Sequence, residues 1–282
     1  MTLDDFNKGA RDAAANARQA ASTARENAAE RARDVAANAG DRARDVAANA
    51  GDRAREAAAH AKEAAVAVAV KPRLRGHVHQ WAFFVSLALG VALVVFASGE
   101  RARVAVLIYA VSLSGLLGTS ALYHRVTWAP AARRRMRQLD HSMIFVLIAG
   151  TVTPIALLAV HGSMTTWLLC IVWGGAVAGI VMNLVWLNHP KWVSSVIYSA
   201  VGLTGAVAIG SLLGSVGVIA VLGIALGGAF YLAGAVIYAI QRPNPVPTVF
   251  GYHEVFHVLV VVAAAVHFTV IAAFVVPYAA AG

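Results

Sequence analysis

Residues 193–239 read VSSVIYSAVGLTGAVAIGSLLGSVGVIAVLGIALGGAFYLAGAVIYA, 47 positions without a charged side chain. As one straight helix at about 1.5 Å per residue, this stretch would reach about 70 Å, more than twice a hydrocarbon core of ~30 Å. Its only break is at Gly214, Ser215 and Gly217. Two membrane spans joined there by a tight turn are therefore expected, at about 193–213 and 215–239.

Five further apolar runs of similar length flank this pair, at about 80–98, 104–123, 141–160, 165–187 and 254–278. Each approaches the ~20 residues needed to cross a bilayer as a helix. The expected fold class is all-α, a bundle of seven transmembrane helices with short connections. Composition agrees: of 282 residues, 59% are hydrophobic and only 13% charged, which excludes an ordinary soluble globule. The apolar stretch long enough to direct insertion starts near residue 80, after a polar segment, so insertion by the first span, without a cleaved signal peptide, is expected.

Charge is distributed unevenly. Residues 1–78 hold 14 of the 23 Lys and Arg and 11 of the 14 Asp and Glu, leaving Glu100, Asp140 and Glu254 as the acidic groups of the apolar part. With the N-terminus inside, Lys71, Arg73, Arg75, Arg125, Arg133, Arg134, Arg135, Arg137, Lys191 and Arg242 fall on the cytoplasmic side, and only Arg101 and Arg103 fall outside. Ten against two is a strong positive-inside bias, so the N-terminus is expected in the cytoplasm and the C-terminus outside. The same placement accounts for the net charge of +9 without a nucleic-acid partner.

The chain is expected to divide into an extension, 1–70, and a membrane domain, 71–282. Within the extension an 11-residue period recurs: ERARDVAANAG from Glu30, DRARDVAANAG from Asp41 and DRAREAAAHAK from Asp52. That period, about 3.67 residues per turn, keeps Ala and Val on one stripe of a long, weakly amphipathic helix. Gly40 and Gly51 each cost roughly 1 kcal/mol relative to Ala, so the helix is marginal alone. It reads either as a surface helix on an anionic leaflet or as a solvating tether.

Cys170 is the single cysteine, so metal ligands, if present, come from His and carboxylate. Ionisable side chains at membrane depth are expensive and mark functional candidates. Three span ends deliver them to the same cytoplasmic depth: span two ends at His124, span three opens at Asp140 and His141, and span seven opens at His253, Glu254 and His257. His253 and His257, four apart on a helix, have the spacing to share a metal ion, and His124 supplies a third nitrogen. Three nitrogens on Zn²⁺ leave a tetrahedral position for water acidified towards a pKa of ~7, and Asp140 is placed to hydrogen-bond that water as orienter or base.

His253 to His257 also reads H-E-x-x-H, the zinc protease pattern in which Glu254 would be the base; the other reading of Glu254 is a cap for the helix N-terminus. Ser120, one turn before His124, either orients the imidazole, contacts substrate or simply permits close helix packing. His267, about 21 Å further along span seven than His253, cannot share the metal and is expected to be an interior hydrogen-bonding residue. His141 is expected at the interface; Arg133, Arg134, Arg135 and Arg137 read mainly as orientation signals and secondarily as contacts for anionic lipid head groups, and Asn183 could join an interhelical hydrogen bond.

Taken together, Ser120-Ala-Leu-Tyr-His124, Leu139-Asp140 and Phe250-Gly-Tyr-His253-Glu-Val-Phe-His257 resemble the hemolysin III proteins, bacterial members of the progestin and adipoQ receptor family. The resemblance spans roughly residues 72–280 and leaves the 11-residue repeats outside. It implies a zinc ion near the cytoplasmic face held by His124, His253 and His257, with Asp140 on the zinc-bound water and Ser120 nearby. Glu254 departs from the receptor members. A likeness to alkaline ceramidases implies hydrolysis of a lipid amide, and bacterial relatives imply a part in membrane-lipid homeostasis at the plasma membrane. The alternatives are a non-enzymatic receptor with structural zinc, an intramembrane metalloprotease using Glu254, and a cytolysin.

Overall fold

The computed structural model describes residues 72–186 and 190–281, a stretch at 44–58 and a few positions between 30 and 42. The chain separates into two units, Met1–Ala69 and Val70–Gly282. In the first, residues 44–58 are helical and exposed, with Arg55 and Asp52 paired at 3.5 Å. The choice between a surface helix and a tether falls mostly on residues outside those described.

In the second unit, seven helices among the described residues are long and apolar enough to cross a membrane. They are α1 (His77–Phe96), α2 (Glu100–Arg125), α3 (Pro130–Ala159), α4 (Ser163–Val185), α5 (Lys191–Ser215), α6 (Gly217–Ile240) and α7 (Tyr252–Ala281). No strand is formed among the described residues, so the all-α bundle of seven spans is the observed fold. The break expected at 214–217 falls at Val216 and Gly217, where φ of +80° at Gly217 is a conformation that a side chain would oppose. Before the turn α5 is irregular, passing through a 3₁₀ segment at Thr204–Ala208, and α7 passes through a π segment at Ile271–Val275.

Sequential helices pack side by side, and α1 also meets α7, so the row closes on itself. α2 and α3 are the most buried of the seven, and α3 touches α2, α4, α5 and the C-terminal part of α7. Small residues set these approaches, since apolar helices in lipid gain little from hydrophobicity and must associate through close packing. A Cβ at Gly179 would lie 2.2 Å from the Phe145 ring, and one at Gly150 would lie 2.3 Å from Ser112 Oγ. The outer faces expose large apolar side chains such as Trp81, Phe84, Trp167, Trp192 and Ile219. On a soluble monomer, patches of this kind would drive association; in a bilayer they meet hydrocarbon.

The two ends of the bundle differ. At one, the links are brief: Ala97–Gly99, Val160–Gly162 and the single residue Val216. The other end carries the longer links, including 126–129 and 241–251, with Arg125, Arg133, Arg134, Arg135 and Arg242. There α3 begins at Pro130, well before the expected 141. Hydropathy fades at the arginines, but Pro at the first helical position starts the helix anyway and its polar turns extend past the apolar span.

Candidate metal centre

The end rich in arginine also holds His124, His253 and His257, and the segment entering α1 organises it. Arg73 and Leu74 donate their backbone N–H groups to the carbonyls of Thr248 (3.0 Å) and Val249 (3.1 Å), tying this segment to the loop before α7. Gly76 has φ of +83°, and a Cβ there would sit 2.7 Å from His124 Cβ. The start of α1 is thus pressed against the last turn of α2.

His253 and His257 occupy the first two turns of α7, and Glu254 fixes where that helix starts. Its Oε2 accepts a 2.8 Å hydrogen bond from Gly251 N–H, closing the first turn, while Oε1 accepts from Arg75 Nε. Glu254 is 1% exposed, and both its oxygens are engaged. The capping reading of this residue therefore describes what its side chain does.

His124, His253 and His257 are all buried, and one nitrogen from each lies within 4.8 Å of the others. His124 Nε2 and His253 Nε2 are 3.0 Å apart. The ring centroids of His253 and His257 are 4.5 Å apart, and those of His124 and His257 are 5.1 Å apart. His257 Nδ1 is buried without a hydrogen-bond partner. A buried polar atom of this kind costs about 1–3 kcal/mol unless something satisfies it. An all-imidazole set with an unsatisfied nitrogen is a group that could hold a metal ion.

One turn before His124, Ser120 of α2 faces the Asp140 carboxylate of α3, although Asp140 is not among the groups that converge with the three histidines. Asp140 Oδ2 also lies 3.6 Å from His141 Nδ1. His141 is half-buried: Nδ1 donates to the Arg137 carbonyl at 2.9 Å, leaving Nε2 to accept from Tyr238 Oη at 3.3 Å. Lys191 Nζ donates to Tyr252 Oη at 2.6 Å, directly beside His253.

Residues 68–268 match the family described as Haemolysin-III related. The chain belongs to the haemolysin III family. It is 31% identical over 163 residues to a Hemolysin-3 homolog of Bacillus subtilis, covering 57% of this chain and 76% of that protein. It is 30% identical over 178 residues to Hemolysin-3 of Bacillus cereus, covering 63% of this chain and 78% of the relative. The matched residues of this haemolysin III member include every residue of the candidate centre and exclude the complete 11-residue repeats.

His267 stands apart from the centre, as its position on α7 implies: Nε2 donates to the Ile224 carbonyl at 3.0 Å, and the ring lies against Gly227. Asn183 is buried on α4, on the side of that helix facing Tyr198 of α5. Arg133, Arg134 and Arg135 are exposed and Arg137 is half-buried.

Sequence reasoning missed His79. This residue of α1 is buried and lies flat on His257, with ring centroids 3.7 Å apart and planes 8° from parallel. The expected span began at residue 80, because hydropathy rises only beyond Gln80, and that boundary cut His79 out. The helix in fact starts at His77. The same rule that singled out the other histidines, an imidazole at the basic end of a span, would have found it.

Proposed function

We propose that this haemolysin III family protein binds zinc through His124, His253 and His257 in the cytoplasmic leaflet of a bacterial plasma membrane and hydrolyses a lipid amide there, in the service of membrane-lipid homeostasis. The carrying observation is the 3.0 Å approach of His124 Nε2 to His253 Nε2, with His257 alongside. Two nitrogens bound tetrahedrally to zinc at about 2.0–2.1 Å are about 3.3 Å apart, close to this separation. An N–H···N bond would account for one pair of rings, but a single cation also satisfies His257 Nδ1.

Such an ion supplies Lewis acidity towards a carbonyl oxygen and acidifies water. Asp140 is the group that would accept the proton of the attacking water and return it to the leaving nitrogen. Ser120 faces that carboxylate and would orient it, and Glu254 with Arg75 holds the start of α7. The basic residues gathered at this end support a cytoplasmic position. A site at that depth lies near the level of a lipid's amide, just below its head group.

A second reading, a receptor or sensor with structural zinc, is favoured by the burial of all three histidines. A protease with Glu254 as base finds no support, because that carboxylate is engaged on both oxygens. Cytolysis, suggested by the names of the relatives, is tested by lysis with detergent-free protein.

The deciding experiment uses the full chain in lipid nanodiscs. One zinc equivalent is expected in the wild type and none in His124→Ala or His253→Ala. Presented with an N-acyl sphingoid lipid, the wild type should release fatty acid, and Asp140→Asn should keep its zinc and release none. Bound zinc without any acyl release would leave the structural reading standing.

A further inference from the structure

We infer that His79 is a positioning residue for the metal centre: its imidazole lies against the face of His257 and fixes the plane in which that ring presents its nitrogen. The inference rests on the zinc reading above. Three observations on the same end of α1 carry it.

The first is the stack itself. At 3.7 Å between centroids and 8° between planes, the two rings are in face-to-face contact. A ligand nitrogen binds along a direction in the plane of its own ring, so a partner stacked 3.7 Å above that plane cannot aim a nitrogen at the same ion. It can prevent the ring from turning. Rotation of His257 about its Cβ–Cγ bond would swing the nitrogen away from the ion, and a ring lying flat against it blocks that rotation.

The second is that no hydrogen bond among the described residues fixes the plane of the His257 ring. Metal-bound imidazoles ordinarily donate their remaining N–H to a carboxylate or carbonyl, which sets the ring. With Nδ1 turned to the ion, the remaining nitrogen of His257, Nε2, makes no such bond among the described residues. Stacking takes the place of the usual hydrogen bond. His79 is itself 2% exposed, neither of its ring nitrogens makes a well-formed hydrogen bond, and the ring it lies against is that of His257.

The third is that His79 is on a braced element. Three residues earlier Gly76 is pressed against His124, and the segment before it is tied to Thr248 and Val249 and to Glu254. One short piece of α1 therefore touches one histidine of α2 and one of α7. The ligands come from two helices, and the third helix sets their relative orientation.

The test compares two substitutions in the full chain in nanodiscs. His79→Leu keeps much of the volume but removes the flat face; His79→Phe keeps the flat face and removes both nitrogens. Zinc affinity is read by competition with a chelator, and geometry by the visible absorption of the Co²⁺-substituted protein. The expected result is a loss of about 10- to 100-fold in zinc affinity for His79→Leu, the range seen when the groups that orient a ligand are removed, with a changed Co²⁺ spectrum. His79→Phe should restore affinity and spectrum to near wild type. Wild-type affinity and spectrum in His79→Leu would overturn the inference alone, leaving the metal centre intact. A loss in His79→Phe as large as that in His79→Leu would also overturn it, since the nitrogens rather than the face would then matter. A wild type that binds neither Zn²⁺ nor Co²⁺ would bring down the metal reading and this inference together.

Discussion

His124 Nε2 and His253 Nε2 meet at 3.0 Å although 129 residues separate them in the chain. A cation shared by these nitrogens would cross-link the end of α2 to the start of α7, the two helices on either side of α1 in the ring. Metal binding and stability of the bundle are then linked, because the unfolded chain does not hold the three imidazoles together.

Zinc should therefore raise the thermal midpoint of the purified protein. At a free concentration 100 times Kd the linkage is about 2.7 kcal/mol. His253→Ala should show no zinc response, and a chelator should return the wild type to the metal-free midpoint. An unchanged wild-type midpoint on adding zinc would show that no such cross-link forms.

Glu254 offers a sharper separation of roles. Its carboxylate receives Gly251 N–H and Arg75, so Glu254→Gln should keep the cap through its amide oxygen and lose the charged pair. The expected cost is about 1.5–3 kcal/mol of stability, with zinc content unchanged. Arg75→Met should cost at least as much, because it leaves a buried carboxylate unpaired. The double variant should be less destabilised than the two costs added, as for partners in contact. Normal stability with abolished hydrolysis in Glu254→Gln would instead return this residue to the role of base.

Gly76 and Gly99 form a natural control pair. Both have φ of +83°, but a Cβ at Gly76 meets His124 Cβ at 2.7 Å, whereas nothing lies within 4 Å of one at Gly99. Alanine at Gly76 enters the left-handed region at about 1–2 kcal/mol, and at Gly99, where ψ is 153°, it enters a region almost confined to glycine at about 1–3 kcal/mol. Only Gly76→Ala should also displace His124, so it alone should weaken zinc binding in a chelator competition. Equal zinc affinity in the two variants would mean that α1 does not press on the centre.

The spans were legible because burial in lipid demands long apolar runs, and even the break at Val216 and Gly217 was marked by glycine. The centre was legible as far as topology sorts residues by depth: His124, His253 and His257 are at helix ends that short connections bring to one side. Contacts across the bundle were not. Nothing in the local sequence announces that Arg75 reaches Glu254 over 179 positions, and this contact distinguishes cap from base. Nor does hydropathy register His79, whose polar ring sits where the average is still low. The link between Ser120 and Asp140 likewise depends on the rotation of α2 against α3, which periodicity leaves free.

Orientation is the remaining premise of the lipid reading, and it is accessible to thiol chemistry. Cys170 is exposed on α4, so the experiment starts from Cys170→Ser. Into that background go Ser98→Cys, in the exposed link between α1 and α2, and Pro245→Cys, in the exposed loop between α6 and α7 beside the arginines. Lys and Arg near span ends favour the cytoplasmic side, and the loops at the Pro245 end carry nearly all of those in the membrane unit. A membrane-impermeant thiol reagent added to intact cells should label Ser98→Cys and spare Pro245→Cys, with both labelled once the membrane is opened. The opposite pattern would place the histidines under the outer surface. An inner-leaflet lipid could then no longer be the substrate, while the metal centre, which depends only on the bundle, would stand.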